Sequence, residues 1–196
     1  EQGWEDKVVV MHSGNHSLVH PLDTILDAAD ALKDDPRFVF VFIGGGRGKE
    51  IVDARLREQS SAASNIISLP YQSLDQIRYS LSAADLHIVS LGNEMSGIVH
   101  PCKIYGILSI GRPVLTLGPN ESYLSDITGD NEIGWSIRHG DLDGVVAALQ
   151  TAAAQTEKER IAIGQHAQKI AAEKFSREQL VRQYLDMILC EPRLAQ

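Results

Sequence analysis

From residue 7 to about residue 150, short and nearly unbroken apolar runs alternate with longer segments whose apolar positions recur at helical spacing. KVVVMHS (7–13), FVFVFIG (38–44), NIISLP (65–70), DLHIVSL (85–91), PVLTLG (113–118) and EIGWSI (132–137) read as strands, since β-branched and aromatic residues suit a buried, pleated surface. Between the first two, PLDTILDAADALKDD (21–35) puts Leu22, Ile25, Leu26, Ala29 and Leu32 on one helical face. Further helices are predicted over KEIVDARLREQSS (49–61), over SLDQIRYSLSAA (73–84) with Ser73 as its N-cap, and from Pro101 within PCKIYGILSIGRPV (101–114). Strands apolar on both faces need helices on both faces, which right-handed crossovers supply. The predicted fold class is α/β: a doubly wound, Rossmann-like parallel sheet of about six strands. From residue 142 the pattern is wholly helical, and in the last segment Leu180, Val181, Tyr184, Leu185, Ile188 and Leu189 form an apolar stripe that needs a partner surface.

With 43% hydrophobic and 22% charged residues the chain has an ordinary globular composition, and its 196 residues suffice for one domain with a full core. A net charge of −8 argues against nucleic acid or an anionic membrane surface as a partner, because both require a basic face. Cys102 and Cys190 lie far apart in unrelated contexts, so neither a disulfide framework nor a zinc ligand set is expected, and a reducing, cytoplasmic setting fits best. No run approaches the roughly 18 apolar residues of a membrane span. The first residue is Glu1 rather than Met, which leaves room for the chain being an excised piece of a longer protein.

In an open parallel sheet the ligand crevice lies beyond the carboxyl ends of the strands, so the loops there are the first places to look for chemistry. Four of them expose backbone or polar groups: SGNHSLVHP (13–21), GGGRGKE (44–50), GNEMSGIVHPCK (92–103) and GPNES (118–122). Glycine lets a chain approach an anion closely, and helix N-termini offer free N–H groups, so phosphate is the natural guest. GGGRGK is not a P-loop, since the Gly-Lys-Ser/Thr ending is missing, and Gly44, Gly45, Gly46 and Gly48 do not have dinucleotide-fingerprint spacing. A tight strand-to-helix turn explains that loop equally well. His12, His16 and His20 recur every four residues, but they cross Gly14 and Pro21, so they do not align on a helix to hold a metal. A hydrogen bond from His16 or His20 to an anionic ligand is the expected use, with plain surface or core satisfaction as the alternative.

SGNHSLVHPLDTILDAADAL, FVFIGGG, NIISLPYQSLDQIRYSLSAADLHIVSL and above all VHPCKIYGILSIGRPVL resemble the C-terminal, donor-binding half of a family 4 (group 1) glycosyltransferase of the GT-B fold, in the bacterial surface-polysaccharide branch. The resemblance implies a retaining enzyme that moves a sugar from a nucleoside-diphosphate sugar to a glycan or lipid-linked acceptor, with no metal or other cofactor. It places the diphosphate at the helix opening at Pro101 and Cys102, with the Lys103 ammonium beside it and Gly14, Asn15 and His20 opposite. Gly97, Ile98 and Val99 would run along the sugar, while Gly45, Gly46, Arg47, Pro70 and Tyr71 would border the nucleoside. Lys103 and Glu94 are the implied catalytic pair, although the family's two Glu fall here at Ile98 and Gly106, and its Arg and Lys after the first strand fall at Asn15 and His20. Positive charge then rests on Lys103, Arg47 and a protonated His20. Tyr105 reads as a packing residue, and Arg112 as one that bonds carbonyls beyond a helix end.

The division expected is a linker remnant at 1–6, a nucleotide-sugar-binding domain at 7–175, and a terminal helix at 176–196 that crosses to an absent N-terminal domain or pairs two copies of the fragment as a homodimer. Without that domain the fragment is expected to be inactive, and its longer parent to be cytoplasmic or membrane-associated. Two rival readings remain: a sugar-nucleotide epimerase of GT-B architecture, which would bring its own catalytic carboxylates, and a non-catalytic nucleotide- or anion-binding module.

Overall fold

A computed structural model describes residues 3–59 and 64–189. Its order is β1 (Val8–Asn15), α1 (Asp23–Ala31), β2 (Phe38–Gly45), α2 (Lys49–Glu58), β3 (Ile66–Leu69), α3 (Ile77–Ser82), β4 (Leu86–Ser90), a 3-10 turn (Asn93–Met95), α4 (Lys103–Ser109), β5 (Val114–Leu117), α5 (Tyr123–Asn131), β6 (Gly134–Ile137), α6 (Leu142–Ala154), α7 (Glu157–Lys174) and α8 (Arg177–Leu189). The six strands form one parallel sheet in the order β3-β2-β1-β4-β5-β6, the doubly wound topology expected from the sequence. Chain order reverses between β1 and β4, and there the crevice for a ligand opens.

Alternation along the strands divides the core. Val8, Val10, Phe38, Phe40, Phe42, Leu86 and Ile88 face α1, α2 and α6, whereas Val89, Val114 and the apolar face of α4 pack with α5 and α7. Each side chain of this size contributes roughly 1.5–3 kcal/mol on burial, which fixes the register that aligns the strand ends.

Two details depart from the sequence reading. Ser73 does not cap α3: it accepts the Gln76 amide in a turn, and the helix starts four residues later without any side-chain cap. The segment after Ser122, to which no element was assigned, is α5, announced by a capping box in which Ser122 and Ser125 satisfy each other's amides. Cys190 and residues 60 and 61 of the second expected helix lie outside the described residues.

Helix α4 is braced at its tail. Gly111 takes φ +71, which glycine tolerates without strain, and Gly164 of α7 lies so close that a Cβ there would stand 2.1 Å from the Gly111 carbonyl oxygen. Arg112 bonds the Ser82 carbonyl at the end of α3, as its position suggested. The apolar stripe of α8 is open to solvent, with Tyr184 63% and Ile188 52% exposed.

Candidate functional site

Strands β1 and β2 end level with each other, Gly14 beside Gly44 and Asn15 beside Gly45. Only glycine permits this. Gly44 sits at φ +130, and a Cβ there would lie 2.0 Å from the Gly14 carbonyl oxygen. The two following loops are stitched together, His16 N–H donating to the Gly45 carbonyl at 2.8 Å and Gly48 N–H to the His16 carbonyl at 2.7 Å. The glycine run thus serves both readings offered for it: a tight turn, and a backbone laid bare at the switch point.

Helix α4 delivers Lys103 across the crevice to β1. Its Nζ donates to His12 Nε2 at 3.0 Å, 91 residues away in sequence, and lies 3.7 Å from where a Gly14 Cβ would be. Accepting from an ammonium requires Nε2 to carry the lone pair, so the His12 proton sits on Nδ1 and is donated to the Ile88 carbonyl at 3.2 Å. Burial, and then the Lys103 charge, hold His12 well below its ordinary 6.5. Burial in turn pulls Lys103 from 10.5 to about 8, so it is still protonated at neutral pH.

The other two histidines complete the wall. The His16 ring meets His12 edge to face with centroids 4.8 Å apart, its Nδ1–H donates to the Gly14 carbonyl at 3.0 Å, and burial followed by the Lys49 charge lowers it to about 4. His20 Nδ1–H donates to the Ser90 carbonyl at 2.7 Å, and burial with Lys103 lowers its pKa also. The structure therefore corrects one expectation: His20 faces the crevice as a neutral ring, and the cation is Lys103. The three histidines do converge, but each spends a nitrogen on a carbonyl. Among the described residues no three His, Cys, Asp or Glu side chains group as a metal site.

Further out, Asn15 is exposed and reaches over Gly46, and Arg47 stands at the loop tip. Pro70 is exposed and leads into Tyr71, whose ring covers Gly44 and Gly45 and whose OH donates to the Gly45 carbonyl at 3.2 Å. Gly97 (φ +75) and Ile98 (76% exposed) form a bare ridge, while Val99 packs inward beneath α4. Glu94 is exposed on the 3-10 turn and bonds to no described side chain.

At the head of α4, Pro101 is buried and Cys102 exposed. Here a second expectation is corrected. Cys102 N–H is taken by the His100 carbonyl at 2.9 Å, so the helix opening at which a diphosphate was expected does not offer the Cys102 amide to it. The seven-residue α4 carries little dipole of its own, and the charge at its head is the lysine's. Tyr105 packs on Phe175 as expected, and its OH also joins His100 Nε2 (2.9 Å) and the Tyr123 OH, a link that sequence reasoning missed. A separate open groove of about 480 Å³ lies over the ends of β4 to β6, between Asn93, Asn120 and Arg138.

This architecture, a doubly wound parallel sheet with glycine-rich loops and one partly buried cation at the switch point, is a Rossmann-like α/β fold of the kind found in GT-B glycosyltransferases. Two sequence relatives carry glycosyltransferase names. The chain is 32% identical over 109 residues to WcaI of Escherichia coli, named as a colanic acid biosynthesis glycosyl transferase, an alignment covering 55% of this chain and 26% of WcaI. It is 27% identical over 139 residues to WbjE of Pseudomonas aeruginosa, named as a glycosyltransferase, covering 70% of this chain and 34% of WbjE. Among solved structures, S. aureus TarM in complex with fondaparinux, α-GlcNAc-glycerol and UDP superposes with a TM-score of 0.76 at 16% identity, over 95% of this chain and 36% of that one. The matches thus span about a quarter to a third of the curated relatives. No protein-family model matches the chain.

Proposed function

We propose that this chain is the donor-binding half of a retaining glycosyltransferase of polysaccharide biosynthesis, taking a nucleoside-diphosphate sugar and passing the sugar to a glycan or lipid-linked acceptor. The observation that carries the reading is the partly buried Lys103 ammonium beside Gly14, flanked by the Gly44–Gly48 loop and by neutral histidines. In the proposed reaction the bond from the anomeric carbon to the diphosphate oxygen breaks, and a bond from the same face to an acceptor oxygen forms as that hydroxyl loses its proton. Negative charge grows on the departing diphosphate, and a preformed cation in a water-poor site stabilises it. Lys103 supplies that charge, so no metal is part of the proposal. Glu94 is assigned to sugar hydroxyls beside the ridge at Gly97 and Ile98, and Tyr71 with Gly45, Gly46, Arg47 and Pro70 to the nucleoside.

The acceptor and the catalytic base are assigned to a further domain of a longer protein, to which the exposed α8 stripe would dock; paired copies of this chain would cover the same stripe. A cytoplasmic or membrane-peripheral setting belongs to the proposal, and no described helix is long and apolar enough to cross a bilayer.

The test is a ¹⁵N NMR titration of the 196-residue chain with UDP, GDP and inorganic pyrophosphate. Shifts gathered at Gly14, Gly45 and Lys103 are expected, with weak affinity and no sugar transfer by this chain alone. No shift at millimolar ligand, or transfer by these residues unaided, would overturn the reading.

A further inference from the structure

Strand β3 is a four-residue edge strand, held within the sheet by β2 alone. Its carboxyl end is gripped from α2. Lys49, the first residue of that helix, donates its ammonium to the Phe42 carbonyl at 2.6 Å and to the Leu69 carbonyl at 2.9 Å, one on each side of the β2–β3 seam. One helical turn later Asp53 accepts the Ser68 hydroxyl. Lys49 and Asp53 thus stand at i and i+4 on one helix face and hold consecutive residues of the edge strand.

The strand pairing ends at this grip, where Ile43 lies beside Leu69. Pro70 follows, has no N–H to offer, and the pairing does not continue past it. Two residues past the grip, Tyr71 lays its ring over Gly44 and Gly45 and leaves 60% of its surface open. An ammonium committed to two main-chain carbonyls is a poor anion ligand, so Lys49 lies near the crevice without serving its phosphates. Burial lowers its pKa and Asp53 opposes the change, which is the balance of a structural cation.

We infer that Lys49 is a positioning residue: by closing the β2–β3 seam it sets the height and tilt of the Tyr71 ring as the floor for a nucleoside base, and so governs affinity for the base without governing affinity for the diphosphate. This inference rests on the nucleotide-site reading above. Two ligands that share the diphosphate and differ in the base separate the roles.

Dissociation constants for UDP and for inorganic pyrophosphate are measured by NMR titration on the unsubstituted chain, Lys49→Met and Lys49→Arg. Lys49→Met is expected to weaken UDP about tenfold, the equivalent of one good charged hydrogen bond, with pyrophosphate unchanged, and Lys49→Arg to restore most of the loss. A merely structural lysine would weaken both ligands together, and that result, or UDP binding unchanged in Lys49→Met, overturns the inference. Should Lys49→Met show no cooperative melt, Lys49→Gln, whose uncharged amide still donates, carries the same comparison with the same two outcomes. If the unsubstituted chain binds neither ligand, the site reading itself fails, an outcome distinct from failure of the inference on Lys49.

Discussion

Replacing Lys103 by Met should stabilise the fold while removing its affinity for a diphosphate. Burial lowers the lysine from 10.5 to about 8, and at about 1.4 kcal/mol per unit the fold holds the protonated form at a cost of about 3 kcal/mol near neutral pH. Methionine fills a similar volume without charge. Its gain is offset by about 1 kcal/mol for the hydrogen bond that His12 Nε2 loses, leaving the variant about 2 kcal/mol more stable at pH 7.

The pH dependence has a definite sign. Between the folded value near 8 and the unfolded value of 10.5 the unfolded chain binds more protons at this site, so the stability of the unsubstituted protein rises with pH across that window. The advantage of Lys103→Met should therefore shrink and then disappear towards pH 10.5, and the histidines that the Lys103 charge depresses titrate below that window. Urea unfolding followed by circular dichroism at several pH values reads the difference directly. A variant less stable than the parent near pH 7, or an advantage constant with pH, would refute the reasoning. UDP titration of the same variant should show no saturable binding.

For the unsubstituted chain, pyrophosphate affinity should fall as pH rises through about 8, when Lys103 loses its proton, with ionic strength held fixed in a calorimetric titration. His12 should keep the Nδ1–H tautomer and show no protonation step near 6.5 in a ¹⁵N NMR titration of its ring. Gly44→Ala should be among the costliest substitutions, because its Cβ would meet the Gly14 carbonyl oxygen at 2.0 Å; loss of soluble expression, or a melting temperature lowered by many degrees, is expected. Leu185→Lys in the exposed α8 stripe should leave the melting temperature unchanged within about 0.5 kcal/mol of stability, and should abolish any self-association seen by analytical ultracentrifugation.

Whatever repeats along the chain was legible in the sequence. Continuous apolar runs such as FVFVFIG announced buried parallel strands, and the loops after them pointed to the crevice, because both follow from local periodicity. Helix α5 was also announced, by Ser122 and Ser125 with Leu124, Ile127 and Asn131 at helical spacing, but the Gly118-Pro119 turn before it and Gly129 within it masked it. The pairing of Lys103 with His12 lay beyond local reasoning, since it depends on β4 inserting beside β1 and on the direction in which α4 crosses. The neutrality of His20 was equally hidden: it follows from burial and a neighbouring ammonium, neither of which has a signature within a few residues of position 20. Lys49 holds two carbonyls across the β2–β3 seam, a use that nothing within a few residues of it announces.

The contact between Gly164 and Gly111 makes α4 a strut rather than a free arm. Seven residues at about 1.5 Å each place Lys103 only about 10 Å from the point where the tail of α4 rests on α7. A methyl group added at position 164 has nowhere to go except against that tail, and a short rigid helix transmits the push along its axis to its head. The alignment of Lys103 with His12 is thus set in part by the missing side chain of a residue on another helix, and variation on α7 can detune the charge at the crevice without altering any group that lines it.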